Sequence, residues 1–139
     1  MVEAPAFSDL VEGTRAEVEF SISRADMRVF AELSGDFNPL HQDAAFAQKK
    51  AFQSEVVYGA LIIAKVSQLI GMRLPGRDSV WSSIALQFRQ PLYVDQIAKV
   101  EGVIINRSES TKMLDIKLTV RANGKLLASG KAEVLFVEA

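Results

Sequence analysis

Between Gly59 and Met72 the chain carries Leu61, Ile62, Ile63, Ala64, Val66, Leu69 and Ile70, apolar residues on nearly every side of a helix. A helix that is apolar all round is expected to be buried on all sides. Leu74-Pro75-Gly76 stops it, and the remainder is strand-like: 79–92, 97–107, 112–122 and 125–137. In the third of these, Leu114, Ile116, Leu118 and Val120 share one face while Asp115, Lys117 and Thr119 share the other. That is the two-residue period of a half-buried strand. Asn123-Gly124 is a strong hairpin signal, because both residues tolerate the positive φ that a tight turn needs. The turn at 106–111 likewise predicts antiparallel neighbours.

An antiparallel meander has one face to cover, and a single apolar helix can cover it. The fold predicted is α+β, a hot-dog arrangement in which an antiparallel sheet wraps round a long central helix. Upstream, residues 15–22 alternate as a strand and Ser23 is placed as a helix N-cap. Met27, Phe30, Ala31 and Leu33 form the apolar side of a short helix ending near Ser34-Gly35. A second short helix is expected at about 44–50, with Phe46 facing inward.

The bulk numbers bound the rest. At 139 residues, the stretch 1–139 is expected to form one domain. The apolar content of 49% and mean hydropathy of +0.14 imply a large core, or a core plus a buried subunit interface. A homodimer is expected, since a sheet curled round its own helix leaves edge strands and an apolar flank exposed. The net charge of −1 and the lack of a basic run argue against nucleic acid. With no cysteine there is no disulfide, thiolate metal site or Cys nucleophile. The N-terminal residues do not read as a signal peptide. The apolar stretch is broken by Lys65, Ser67 and Gln68 and is too short to span a bilayer. A cytoplasmic protein with no membrane attachment is expected.

Chemistry concentrates in Gly35-Asp36-Phe37-Asn38-Pro39-Leu40-His41-Gln42-Asp43, which holds the only histidine of the chain. In an arbitrary sequence an Asp and a His five positions apart are a helix cap and a solvated ring. Here Pro39 stiffens the backbone, and Phe37 and Leu40 are apolar flanks that pack the loop down. A packed loop holding ionisable groups is costly, and functional sites commonly accept that cost. Asp36 and His41 are therefore the candidate acid/base pair. Asn38, bonding the turn backbone, and Asp43, capping the next helix, are given structural roles.

Gly59 opens the apolar helix. A helix N-terminus offers unpaired N–H groups, and glycine admits a ligand close to the backbone. Together they can form an oxyanion hole for a thioester carbonyl. Ser67 either bonds the carbonyl one turn back or supports the catalytic loop. Trp81, Phe88 and Tyr93 are assigned to core or interface. Lys49-Lys50 is a solvated helix end able to meet phosphates. One histidine and no cysteine make a poor metal-ligand set, so no metal and no cofactor are expected.

The stretch Phe30-Ala31-Glu32-Leu33-Ser34-Gly35-Asp36-Phe37-Asn38-Pro39-Leu40-His41-Gln42-Asp43, together with the Gly59 helix start, Ser67, Gln87-Phe88 and Pro91, resembles the MaoC-like (R)-specific enoyl-CoA hydratases over nearly the whole chain. The resemblance implies a hot-dog homodimer that adds water reversibly and syn to a trans-2-enoyl-CoA, giving an (R)-3-hydroxyacyl-CoA. It implies Asp36 and His41 as the water-activating pair, the Gly59 N–H as oxyanion donor and Ser67 as support for the site. Two positions depart from the pattern: Tyr58 stands where many members have histidine, and the turn at Val94-Asp95 lacks a glycine often found there. An acyl pocket is expected along Leu61, Ile62, Leu69 and Ile70, whose bulk suits short to medium chains. The alternatives are dehydration of a 3-hydroxyacyl thioester on acyl carrier protein, a non-catalytic acyl-thioester-binding subunit, and a hot-dog thioesterase.

Overall fold

The computed structural model describes residues 1–138. After a short 3-10 turn (Phe7–Asp9) come β1 (Arg15–Phe20), α1 (Arg24–Ser34), α2 (Pro39–Gln42), α3 (Ala44–Lys49) and α4 (Gly59–Met72). Four strands follow: β2 (Ser79–Phe88), β3 (Ala98–Arg107), β4 (Met113–Ala122) and β5 (Lys125–Phe136). They join β1 in one sheet of order β1-β3-β4-β5-β2, with every neighbouring pair antiparallel. The predicted hot-dog arrangement is the one observed.

β4 is the middle strand, and its alternation is the one expected. Leu114, Ile116, Leu118 and Val120 are fully buried beneath the helix layer. Asn123 and Gly124 both take positive φ, 51° and 74°, as the tight turn into β5 requires. The pairing register slips between Trp81 and Ser83, between Ile104 and Asn106, and between Val120 and Arg121. Such irregularities bend a strand and increase its twist, which helps the sheet curl round α4.

α4 lies against β1, β3 and β2. Its buried residues are Ile62, Val66, Leu69 and Ile70, spaced at i, i+4, i+7 and i+8 as one helical face. The opposite face is exposed at Ala60, Ala64, Ser67 and Gln68, so α4 is not buried on all sides. The sheet covers one face only, and the outward positions are small or polar apart from Met72 at the end of the helix. The helix settles closest where β3 offers no side chain. A Cβ built on Gly102 would lie 2.9 Å from Leu69 Cδ2 and 3.0 Å from Ile116 Cγ2.

The layer between β1 and α4 is pinned by caps. Ser23 and Asp26 form a reciprocal box at the start of α1, and Gly35 ends that helix at φ 79°. Asp43 accepts from the N–H groups of Ala45 and Phe46 at 2.9 and 3.2 Å, the capping role expected of it. The cap sets the phase of α3 so that Ala47 points into the core. Phe46 is only half-buried, with the Lys50 ammonium 5.6 Å over its ring, so the inward position is one residue later than expected. No helix among the described residues is long and apolar enough to cross a membrane.

Gly102→Val puts three carbons into this contact. It should cost about 1–3 kcal/mol, the usual cost of overfilling a packed core. Urea unfolding of the two proteins measures the difference.

Candidate active site

The shape of the segment from Gly35 to Asp43 is set by short side-chain-to-backbone bonds of its own, and the Val56 N–H reaches across to the Leu40 oxygen at 3.1 Å. Asp36 Oδ1 accepts the N–H of Asn38 at 3.0 Å, and Asn38 Oδ1 accepts the N–H of Leu40 at 2.9 Å. These are two successive Asx-type turns. Asn38 thereby caps α2, with Pro39 at its first position, where the missing N–H costs nothing. A stretch expected as loop is thus one helical turn, and His41 sits in it. Asp36 is exposed; His41 is half-buried.

His41 is oriented from across the chain. Its Nδ1 lies 2.6 Å from the carbonyl oxygen of Val56. A carbonyl only accepts, so the proton is on Nδ1 and Nε2 is left as the second, free nitrogen. One face of the ring stacks on Tyr58, with centroids 4.0 Å apart and planes inclined at 25°. Tyr58 is 1% exposed. It also packs on Phe30 of α1, at 4.7 Å between centroids. Its hydroxyl donates to the main-chain oxygen of Asp36 at 2.6 Å and accepts from Gln42 Nε2 at 2.7 Å. Burial pushes the phenol above its ordinary pKa; the hydrogen bond from Gln42 opposes this, and the Asp36 charge adds to it. The hydroxyl therefore stays protonated and stays a donor.

Tyr58 is also the N-cap residue of α4, and no side chain caps that helix. Its carbonyl takes the N–H groups of Leu61 and Ile62. The amide of Gly59 has no acceptor among the described residues. The Phe88 ring packs directly on Gly59: a Cβ there would fall 2.9 Å from Phe88 Cζ. A side chain at this position would have to push the Phe88 ring aside.

His41 and Gly59 line one cleft of about 350 Å³. Phe52, Val57, Ile62, Phe88 and Leu92 supply apolar walls, and Arg89 and Gln90 supply the polar border. Of the residues expected at the site, His41, Gly59 and Ile62 meet here. Asp36 lies outside the lining and is linked to it through Tyr58. Ser67 is exposed on the outer face of α4, with no hydrogen bond to the Asp36–Asp43 segment. Leu61 packs at the edge of the core. Leu69 and Ile70 are sealed inside it at 0% and 2% exposure, so they do not line the cleft. The reason is helical phase. Only the first turn of α4 reaches the cleft, and the last two turns lie over the sheet. Tyr58 is the residue that sequence reasoning undervalued. Its signal was an aromatic in the Val56-Val57 apolar run, since a buried phenol must find a partner for its hydroxyl.

An antiparallel sheet curled round one helix, with an Asp/His turn beside that helix's N-terminus, defines a hot-dog protein of the hydratase kind. The model of the MaoC-like domain matches residues 8–125, and the chain belongs to that family. An (R)-specific enoyl-CoA hydratase from Aeromonas caviae is 35% identical over 124 residues, covering 88% of this chain and 92% of the relative. A 3-hydroxybutyryl-CoA dehydratase from Methylorubrum extorquens is 29% identical over 128 residues, covering 92% and 82%. The solved structure of an R-hydratase from Pseudomonas aeruginosa, in the unliganded form, superposes with a TM-score of 0.88 at 30% identity. That match covers 96% of this chain and 86% of the other.

Glu55, beside the carbonyl that holds His41, is the buried charged residue of this region. It accepts from the Ser54 hydroxyl and pairs with Arg24 at 2.8 Å, tying the segment before α4 to the start of α1. The Ser54 hydrogen bond, with help from the backbone and from Arg24, holds its carboxyl below the usual carboxylate range despite the burial. A depressed pKa stabilises the fold above the unfolded value and stops doing so as pH falls through the folded one. The stability gap between the parent and Glu55→Gln should thus be widest near neutrality and should close below about pH 4, in the ordinary carboxylate range. Thermal melts at a series of pH values give this gap.

Proposed function

We propose that this chain is an (R)-specific enoyl-CoA hydratase. It is a hydro-lyase that adds water reversibly and syn to a trans-2-enoyl-CoA, giving an (R)-3-hydroxyacyl-CoA. The observation that carries this is the shared cleft. A singly tethered imidazole and an uncapped helix N-terminus face one apolar-walled space, and the carboxylate loop is bonded to the residue between them. The activities named for the relatives support the same chemistry, in the hydrating direction for one and the dehydrating direction for another.

The Gly59 N–H receives the thioester oxygen and stabilises the charge that develops there as the β-carbon is attacked. Asp36 has one oxygen committed to Asn38, and its other oxygen takes a proton from water. The hydroxide oxygen adds to the β-carbon. His41, fixed through Nδ1, orients that water with Nε2, which carries no proton at rest. The proton taken by Asp36 passes to Nε2 and from there to the α-carbon, so that both groups end as they began. The acyl chain lies along Ile62, Val57 and Leu92.

The working unit is a homodimer, placed in the cytoplasm. The sheet ends at β1 and β2, and β2 leaves Val80 and Phe88 about half exposed. An edge strand with exposed apolar residues invites pairing with a second copy. Light scattering at micromolar concentration should give twice the chain mass; a monomer would count against it.

The assay is loss of the enoyl chromophore with crotonyl-CoA, run beside thiol release to detect thioester cleavage. Asp36→Asn should lower hydration at least ~100-fold, the low end for a lost general base. His41→Gln should fall comparably. The double variant should lose far less than the product of the two, since both groups act on one water. Parental hydration in either folded single variant would overturn the pair and favour a non-catalytic binding subunit.

A further inference from the structure

We propose that Tyr58 is a positioning residue, which sets the geometry of Asp36, His41 and Gly59 relative to one another through its ring, its hydroxyl and its place in the chain. This rests on the hydratase assignment of those three residues. Tyr58 lines no cleft and is 1% exposed, so it does not touch substrate. It touches each of the others instead. Its ring stacks on His41 at 4.0 Å, its hydroxyl donates to the Asp36 main-chain oxygen at 2.6 Å, and its own peptide leads into Gly59.

The alternative holds on the loop are few. Asp36 is exposed, and its other hydrogen bonds are local, to Ser34 Oγ and Asn38 N–H. Local turns fix the shape of a loop and leave its placement on the body open. One backbone bond, from the Val56 N–H to the Leu40 oxygen at 3.1 Å, holds the α2 end of the loop to the body, and the Tyr58 hydroxyl holds the Asp36 end, bridging 22 residues of sequence. Gln42 holds the hydroxyl from its other side and is itself in α2, next to His41. The phenol oxygen thus joins both ends of the Asp36–Gln42 segment at one point. On the ring side, Val56 fixes the imidazole at Nδ1 but leaves rotation about that bond open. The stacked phenol face restricts it, and Phe30 backs the phenol from α1.

The two parts can be separated. Tyr58→Phe keeps the stack and removes the hydroxyl. Tyr58→Leu removes both and keeps apolar bulk. His41 is the only histidine, so its ring signals in an NMR spectrum are unambiguous. In Tyr58→Phe, kcat on crotonyl-CoA should fall roughly 10-fold while KM stays within about twofold, the signature of misplaced reacting groups rather than lost binding. Amide exchange from Asp36 to His41 should rise, and the His41 ring protons should keep the upfield shift that a stacked aromatic produces. In Tyr58→Leu that shift should vanish and kcat should fall further. Tm within a few degrees of the parent certifies the fold. Parental kcat and parental loop exchange in Tyr58→Phe would overturn the proposal. So would a loss of activity carried by KM alone. If the parent itself does not hydrate crotonyl-CoA, the functional assignment fails, and the exchange and ring-shift measurements still decide whether Tyr58 positions the loop and the ring.

Discussion

α4 can settle on the sheet because Gly102 presents no side chain beneath Leu69. That contact places the helix, and the placement of the helix decides everything at its N-terminus. Val66, Leu69 and Ile70 occupy the core, so the first turn is the part left to face outward over β2. There Phe88 closes on Gly59 and Leu92 pairs with Val57 through a backbone bond of 2.8 Å. The free amide, the buried phenol and the carbonyl that orients His41 are consecutive or nearly so in sequence. They keep their relation to the cleft as long as the helix keeps its seat.

The parts of this fold that were legible in the sequence are those with a local cause. The two-residue alternation of β4 follows from a sheet with one covered face. Asn123-Gly124, Ser23 and Asp43 act through bonds within a few residues of themselves, and each does what its chemistry predicts. The same holds for the limits of α4, set by Gly59 at one end and Leu74-Pro75-Gly76 at the other. Asp36 and His41 stood out because ionisable residues in a stiff, apolar-flanked turn are unusual; of the two flanks expected to pack the turn down, Phe37 is 61% exposed and Leu40 half-buried.

The rest depends on partners far away in sequence. Apolar residues round all of α4 do not say which face meets the sheet, so Leu69 and Ile70 were as good candidates for the cleft as Ile62. Their exclusion needs the packing of the helix against Gly102 and Ile116. Nothing near His41 in sequence identifies Val56 as its acceptor. Nothing near Tyr58 shows that its hydroxyl reaches Asp36. Ser67 was weighed as support for the loop from its place two turns into the helix and from the family resemblance, and helical phase puts it on the exposed side of α4. Long-range hydrogen bonds are where the site is assembled, and periodicity carries no information about them.

The two side chains proposed as the acid/base pair are each held at one atom only. His41 and Asp36 are both held by backbone groups: Nδ1 by a carbonyl, Oδ1 by an amide. Nε2 and Oδ2 are thereby left without a partner among the described residues. Arg24 lines a small chamber of about 190 Å³ together with His41, Gln42 and Glu55. Glu55 holds the Arg24 guanidinium at 2.8 Å. The buried carboxylate next to Val56 thus fastens the residue whose carbonyl orients His41 to the start of α1, while Tyr58 closes one face of that ring with a phenol that burial keeps protonated.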